Sequence, residues 1–203
     1  MSPSDPLNAD RNRLRDHFSH PYSSHPQRWD DLWADGSWLP WDRQGPNPAL
    51  LDALQQHREL LGTATEASST QNSVADRGDL AAQRRKTALV PGCGRGYDVL
   101  LLASLGYDAY GLEVSDKAVE AAVVNASESW DKYRDASAAD AGLGKSESGG
   151  RYTFVKGDFF GDEWMVDSAV GSGGKGAKFD LIYDYTVCPA SPARLMCILL
   201  WQE

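Results

Sequence analysis

The chain of 203 residues has few of the residues that usually hold metal ions or form disulfides. It contains three cysteines, Cys93, Cys188 and Cys197, and four histidines. An odd number of widely separated cysteines suits free thiols in a reducing compartment, so we expect a cytoplasmic protein. The histidines lie in the first third of the chain without the spacing of metal ligands, and the sequence therefore predicts no metal site.

The sequence also lacks long apolar runs and an excess of basic residues. No stretch approaches the roughly 20 apolar residues that span a bilayer, and the N-terminus lacks the apolar core of a secretory signal. The formal net charge is −9, whereas surfaces that bind nucleic acids are usually basic. We therefore expect neither a membrane nor a nucleic acid as a partner. Composition makes no prediction about the oligomeric state.

Short apolar strands alternate with helical segments between Thr87 and Thr186. The predicted strands are TALVP, YDAYGLEV, RYTFVKGDFF and KFDLIYDYT. One helix between them is closed by Gly106 and the next is capped by Ser115. This alternation predicts an α/β fold with a Rossmann-like, doubly wound parallel sheet that helices cover on both faces. In such sheets, ligands bind at the carboxyl ends of the strands, near the point where the strand order reverses.

The distribution of small and polar residues along the chain predicts one domain with a leader and three inserts. We expect a flexible leader over residues 1–25 and a domain over residues 26–203. Segments rich in small and polar residues, near 62–86, 135–150 and 167–177, are predicted to be flexible inserts. Ahead of the first insert, NPALLDALQQHRELL has the apolar spacing of a helix, with Asn47 and Pro48 suited to the cap and the first position.

Three glycines, Gly92, Gly94 and Gly96, occupy alternate positions between the first predicted strand and its helix. A glycine-rich turn at a helix N-terminus presents backbone N–H groups to a ligand, although a tight turn without a ligand also uses glycine. Glu113 ends the second strand, nineteen residues after Gly94. A carboxylate there can accept hydrogen bonds from both hydroxyls of a ribose. The combination favours a cofactor that contains a nucleoside.

The glycine spacing argues against a dinucleotide cofactor. The fingerprint G-x-G-x-x-G, started at Gly92, requires a glycine at position 97, where this chain has Tyr97. No basic residue is set to pair with a pyrophosphate. The observed spacing, G-x-G-x-G, resembles motif I of the class I methyltransferases that use S-adenosyl-L-methionine. An NAD-dependent oxidoreductase on the same sheet topology remains an alternative.

Five segments resemble, in order, those of the thiopurine S-methyltransferase family, and most closely its thiol and halide methyltransferase branch. They are RWDDLWADGSWLPWD, ALVPGCGRGYD, YGLEVS, VKGDFF and FDLIYDYT, and they cover about residues 28–186 apart from the inserts. The resemblance implies a class I methyltransferase fold, S-adenosyl-L-methionine as the cofactor and a small thiol or halide as the methyl acceptor. The chemistry of a thiolate or halide requires no general base, because the acceptor already carries a lone pair, and we assign no catalytic residue. Cys93 is interpreted as a small packing residue.

The resemblance also implies which residues form the cofactor site. The tryptophan-rich segment, with Trp29, Trp33 and Trp41, folds over the cofactor. Trp29 and Trp33 share one face if the segment is helical, and an indole face favours a sulfonium cation. Alternatively, these tryptophans only anchor a helix to the core. The three glycines of motif I face the methionine part, and Glu113 holds the ribose.

Further cofactor contacts are implied at the ends of the third and fourth strands. Asp158 accepts a hydrogen bond from the adenine amino group, and Phe159 packs on the ring. Asp184 and Tyr185 border the methyl-donor site. The corresponding alternatives are an ordinary loop acid, a core phenylalanine and an aromatic residue that merely ends a strand.

Only seventeen residues, VCPASPARLMCILLWQE, follow Thr186. They depart from the continuation of the family, in which the sheet has seven strands and later segments form the acceptor pocket. We therefore expect a domain that is truncated after the fourth strand, with this strand near an open edge. A catalytically inactive product that still binds a nucleoside is a further alternative.

Overall fold

A computed structural model describes residues 6–57, 64–66, 84–136, 149–166, 170, 178–185 and 197–200. The helices are α1 (Pro6–His17), α2 (His25–Asp35), α3 (Pro48–Gln56), α4 (Tyr97–Ser104) and α5 (Asp116–Ala136). The strands are β1 (Thr65–Glu66), β2 (Arg84–Arg85), β3 (Thr87–Pro91), β4 (Asp108–Glu113), β5 (Arg151–Lys156), β6 (Leu181–Asp184) and β7 (Cys197–Leu200).

A five-stranded sheet forms the centre of the described part of the chain, in the order β5-β4-β3-β6-β7. The pairs β3–β4, β4–β5 and β3–β6 are all parallel, which confirms the predicted α/β fold. From β3 the chain moves outward through β4 to β5, and it then returns to the other side of β3 as β6. The strand order therefore reverses between β3 and β6, and sheets of this kind bind ligands at the carboxyl ends of the strands beside such a reversal.

Both faces of this sheet are covered. On β3, Ala88 and Val90 belong to a buried cluster with α3 and α4, whereas Leu89 belongs to a second cluster. The second cluster includes Trp164 and Phe179 on the opposite face. Alternate residues of a strand point to opposite faces, so a strand buried on both sides must be apolar throughout. No helix in the described ranges is long and apolar enough to cross a membrane.

The carboxyl-terminal residues alter one prediction. Strand β7 pairs antiparallel with β6, with Leu181 opposite Leu200 and Asp184 opposite Cys197. The expectation that β6 would lie near an open edge is therefore wrong. An antiparallel neighbour needs no long crossover and satisfies the free backbone groups of β6, so a short apolar run after a reversal is sufficient.

The leader contains regular structure. Residues Pro6–His17 form α1, although we expected a flexible segment over residues 1–25. The helix is held to the tryptophan-rich segment at one side chain, because Trp38 Nε1 donates to Asp10 Oδ1 at 2.9 Å and the Arg13 guanidinium lies 3.9 Å from the Trp38 ring centroid. These are contacts between distant parts of the chain, which local composition does not predict.

The three predicted inserts lie mostly outside the described residues. The first is bordered by a two-stranded antiparallel ribbon of β1 and β2, so its ends have structure that we did not predict. Helix α5 extends to Ala136, just past the expected start of the second insert. Residues 67–83, 137–148, 167–169 and 171–177 are not described.

Gly96 begins α4 in a left-handed conformation, with a φ of 74°. A Cβ atom at this position would overlap Cε1 and Cζ of Phe154 on β5. Helix α4 therefore packs so closely on the sheet that Gly96 is required for packing, independently of any ligand.

We expect Gly96→Ala to destabilise the fold by more than backbone strain alone. Gly149→Ala is the matched control, because Gly149 has a φ of 56° and a Cβ there would meet no heavy atom within 4 Å. The control is expected to cost about 1–2 kcal/mol from the left-handed backbone. Gly96→Ala adds overpacking against Phe154, for about 1–3 kcal/mol more. Urea denaturation measures both values, and equal losses would contradict the packing argument.

Candidate functional site

The glycine loop and the end of β4 are joined by the Glu113 carboxylate. Glu113 is 7% exposed, and its Oε2 accepts a hydrogen bond from Gly94 N at 3.1 Å. Its Oε1 accepts from the backbone N–H groups of Val114 (2.8 Å) and Ser115 (3.3 Å). Burial raises the pKa of Glu113, and these three N–H groups partly offset the shift. A carboxylate oxygen can accept two hydrogen bonds, and Oε2 accepts one, so the fixed Glu113 keeps acceptor capacity for a ligand.

The predicted tryptophans come together at this loop. Trp29 and Trp33 lie on α2, so the condition of a helical segment is met, and both contact the Trp41 ring, with centroid distances of 5.3 and 6.2 Å. A Cβ atom on Gly94, where φ is 52°, would lie 3.3 Å from Trp33 Cζ2. The Trp33 indole therefore rests directly on the backbone of the glycine loop. The loop also adopts positive φ at Gly92, a conformation that glycine permits.

Asp30 fixes α2 in this position, and sequence reasoning missed it. Its Oδ1 accepts from Ser115 Oγ at 2.6 Å and from Lys117 N at 3.0 Å, at the start of α5. Burial opposes ionisation, but these hydrogen bonds and the charges of Lys117 and Lys156 outweigh it and lower the pKa of Asp30. Ser115 also caps α5 as predicted, because its Oγ accepts from Ala118 N at 3.1 Å. The sequence signal that could have indicated Asp30 is its position as an acidic residue between Trp29 and Trp33.

The exit of β5 lies beside Glu113. Gly157 N donates to Glu113 O at 2.9 Å, which places Asp158 next to the end of β4. Asp158 Oδ2 accepts a hydrogen bond from the Tyr22 hydroxyl at 3.1 Å. Tyr22 lies within residues 1–25, the segment expected to be a flexible leader. Phe159 packs against the buried cluster on one face of the sheet. This contact agrees with the alternative that Phe159 is a core residue. Packing of Phe159 on an adenine ring stays a prediction.

Asp184 and Tyr185 lie on the other side of the reversal point. Asp184 ends β6 with a side chain that is 6% exposed. Tyr185 follows at 38% exposure, and the Arg43 guanidinium carbon lies 5.9 Å from its ring centroid. The predicted residues therefore lie around the carboxyl ends of β3, β4, β5 and β6, but only the tryptophans, Gly94 and Glu113 are linked by the contacts described above.

The surroundings of Asp98 and Cys93, close to the glycine loop, disfavour the ionised forms of both side chains. Asp98 Oδ1 accepts from Asn47 N at 2.8 Å, and burial raises the pKa of Asp98 to about 6. Asn47 caps α3 as predicted, because its Oδ1 accepts from Ala49 N at 3.1 Å. Cys93 packs against β4, where a Cβ on Gly111 would lie 2.7 Å from its sulfur. Burial and the charge of Glu113 raise the pKa of the Cys93 thiol, as suits a packing residue rather than a nucleophile.

The polar side chains near the loop are better suited to bind a nucleoside than a pyrophosphate. Arg95 is the basic residue of the glycine loop, and its Nε lies 2.7 Å from Asp42 Oδ2. Its charge is therefore already paired. The nearby carboxylates of Glu113 and Asp158 can accept hydrogen bonds from hydroxyl and amino groups. Among the described residues, no group of three or more His, Cys, Asp or Glu side chains is arranged to hold a metal ion.

Known proteins provide an independent comparison. The family model described as Thiopurine S-methyltransferase (TPMT) matches residues 72–197. Thiocyanate methyltransferase 1 of Brassica oleracea is 29% identical over 81% of this chain and 50% of its own length. Probable thiol methyltransferase 2 of Arabidopsis thaliana is 29% identical over 78% of this chain and 46% of its own length. The chain thus spans about half the length of these curated relatives.

Solved structures are more distant. One concerned with the conversion of a disulfide bond into a thioacetal group during echinomycin biosynthesis is 22% identical, with a TM-score of 0.45. The likeness covers 80% of this chain and 47% of that chain.

The raised pKa of Asp98 predicts how the stability of the fold depends on pH. Its pKa is about 6 in the folded chain and 3.8 ordinarily, so ionisation destabilises the fold as the pH rises between these values. We expect Asp98→Asn to increase the free energy of unfolding at pH 7.5 by up to about 3 kcal/mol and to have little effect near pH 3.5. The variant amide keeps an acceptor for Asn47 N.

The measurement is urea denaturation of both proteins across this pH range. Asp135→Asn is the control, because the Asp135 side chain is 75% exposed. Parallel pH profiles for the wild type and Asp98→Asn would contradict the prediction.

Proposed function

Because the chain belongs to the thiopurine S-methyltransferase family, which its match over residues 72–197 shows, we propose that it binds S-adenosyl-L-methionine and transfers the methyl group to a small thiol or halide. One observation carries the proposal. The indole of Trp33 lies on the backbone of Gly94, and Gly94 is hydrogen bonded to the buried carboxylate of Glu113. An indole ring, a glycine backbone and a carboxylate thus meet at one strand end.

Each part of this arrangement suits one part of the cofactor. In the proposal, Glu113 accepts hydrogen bonds from the ribose hydroxyls, and Asp158 accepts one from the adenine amino group, with Phe159 against the ring. The glycine loop lies along the methionine part, and Asp184 and Tyr185 border the reacting end. When bound, the cofactor supplies an electrophilic methyl group on a positively charged sulfur. An indole face such as that of Trp33 stabilises such a cation.

The N-terminal segment contributes by excluding water. The Trp41 ring contacts Trp29 and Trp33, and Tyr22 binds Asp158 across the exit of β5. With α2 held by Asp30, these side chains cover the carboxyl ends of the strands from one side. Exclusion of water strengthens electrostatic interactions in the site and favours a reaction that neutralises charge.

The acceptor class follows from chemistry and from the relatives. A thiolate or halide attacks through its own lone pair, and the site needs only to align it with the methyl group. The names of the two plant relatives specify a thiocyanate and a thiol methyltransferase, and thiocyanate is likewise an anion with its own lone pairs. In this proposal no side chain removes a proton, which agrees with the raised pKa of the Cys93 thiol and its packing position.

We expect the purified chain to bind S-adenosylhomocysteine saturably and to bind NADH not at all. Calorimetric titration with each compound is the measurement. The paired charge of Arg95 leaves the pyrophosphate of NADH without a partner at the loop. Absence of saturable S-adenosylhomocysteine binding, or preference for NADH, would overturn the proposed function. If S-adenosylhomocysteine binds, an assay with bisulfide, iodide and an aromatic thiol distinguishes an enzyme from a nucleoside-binding protein.

We also expect Trp33→Leu to weaken binding of S-adenosyl-L-methionine more than that of S-adenosylhomocysteine. The cofactor carries a sulfonium cation and its product does not, so the ratio of the two affinities isolates the cation–indole contribution. The expected change in this ratio is about 2- to 30-fold, corresponding to about 0.5–2 kcal/mol. Trp38→Leu is the control, because Trp38 also contacts Trp41 but has Asp10 and Arg13 as its other partners. An unchanged ratio in Trp33→Leu would contradict the role of Trp33.

A further inference from the structure

The residues from Asp42 to Asn47 contact the glycine loop, α4 and the residue after β6, and we call them the crossing segment. At one end, Asp42 Oδ2 lies 2.7 Å from Arg95 Nε on the glycine loop. At the other end, Asn47 N donates to Asp98 Oδ1 on α4 at 2.8 Å. Both ends are therefore fixed to the structure that follows β3.

The middle of the crossing segment is held in an unusual backbone conformation. Gln44 has a φ of 56°, the one positive φ at a non-glycine residue in the described ranges. The turn is stabilised because Gln44 N donates to Asp42 Oδ1 at 3.0 Å. Strained conformations of this kind persist where the surrounding structure holds them, and they cluster at binding sites. Here the conformation accompanies Arg43, whose side chain reaches the end of β6.

Arg43 differs electrostatically from two other cations near the strand ends, Arg95 and Lys156. Arg95 is paired with Asp42, and Lys156 is paired with Asp116. The Arg43 guanidinium instead contacts a neutral phenol, with Nη2 3.4 Å from the Tyr185 hydroxyl. No carboxylate of the described residues forms an ion pair with it.

Acidic residues are present at the carboxyl ends of several strands. Carboxylates lie at the ends of β4 and β6, in the loop after β5 and in the first turn of α4; they are Glu113, Asp184, Asp158 and Asp98. This distribution favours a cationic cofactor, but it repels an anionic acceptor that enters the same crevice. An unpaired cation at the end of β6 offsets that repulsion locally.

We propose that Arg43 is a specificity-determining residue that attracts an anionic methyl acceptor, of the thiolate class, to the end of β6 beside Tyr185. The proposal rests on the proposed function of this site. In the reaction, the acceptor sulfur forms a bond to the methyl carbon, and the bond from that carbon to the sulfonium sulfur breaks. The negative and positive charges are both neutralised and no proton moves. Arg43 therefore favours the ionised acceptor over the neutral thiol without taking part in a proton transfer.

The test measures binding of an anionic acceptor without turnover. The full chain is saturated with S-adenosylhomocysteine and titrated with 4-nitrothiophenol, a coloured aromatic thiol that is ionised at neutral pH. Arg43→Gln removes the charge and keeps much of the side chain, whereas Arg43→Lys keeps the charge. Arg134→Gln is the control for loss of an arginine charge, since Arg134 lies in the last turn of α5, the helix that contacts β4 and β5.

We expect Arg43→Gln to weaken thiolate binding about tenfold and Arg43→Lys by about threefold or less, with Arg134→Gln unchanged. The affinity of the wild type is expected to fall with added salt more steeply than that of Arg43→Gln, because the attraction is screened. All variants should retain their affinity for S-adenosylhomocysteine.

Four results would overturn the role of Arg43. They are unchanged thiolate affinity in Arg43→Gln, equal losses in Arg43→Gln and Arg43→Lys, absence of saturable thiolate binding to the wild-type complex, and loss of S-adenosylhomocysteine binding in Arg43→Gln. Failure of the wild type to bind S-adenosylhomocysteine would instead overturn the proposed function, so the two failures are distinguishable.

Discussion

The carboxylate of Glu113 is the group on which the arrangement of the site depends. It accepts hydrogen bonds from one N–H of the glycine loop and from two N–H groups at its own strand end. Burial of a carboxylate is unfavourable unless such bonds compensate it, and charge-assisted bonds to backbone N–H groups are among the stronger ones. The loop is thereby fixed to the end of β4. The Trp33 indole then has a defined surface at Gly94 on which to pack.

Negative charge is concentrated at the carboxyl ends of the strands, at some cost to stability. Burial raises the pKa of Glu113 and that of Asp98, so the folded chain disfavours the ionised form of both groups. Natural proteins keep such unfavourable groups mainly at functional sites. A positively charged ligand would relieve part of the cost, which supports the proposed sulfonium cofactor. The same distribution makes the unpaired charge of Arg43 distinctive at this edge.

Much of the scaffold was predictable from local patterns. The four parallel strands, the glycine turn between β3 and α4 and the caps at Asn47 and Ser115 all agree with the sequence expectations. The helix in the leader and the pairing of β6 with β7 were not predicted. In both cases the outcome depends on a partner that is distant along the chain: Trp38 for α1, and β7 for β6. Cofactor roles for the predicted residues stay predictions, although the tryptophans, Gly94 and Glu113 do meet.

Short-range rules thus identified the elements and the chemistry that they carry, because caps, turns and hydrophobic periodicity depend on residues within a few positions of each other. The folded chain alone showed which side chains complete the site. Tyr22 meets Asp158 across 136 positions, Asp30 meets Ser115 across 85, and Arg43 meets Tyr185 across 142. Such contacts depend on the path of the backbone around the sheet. That path is decided by burial of both faces together and leaves no periodic signal at the residues that it joins.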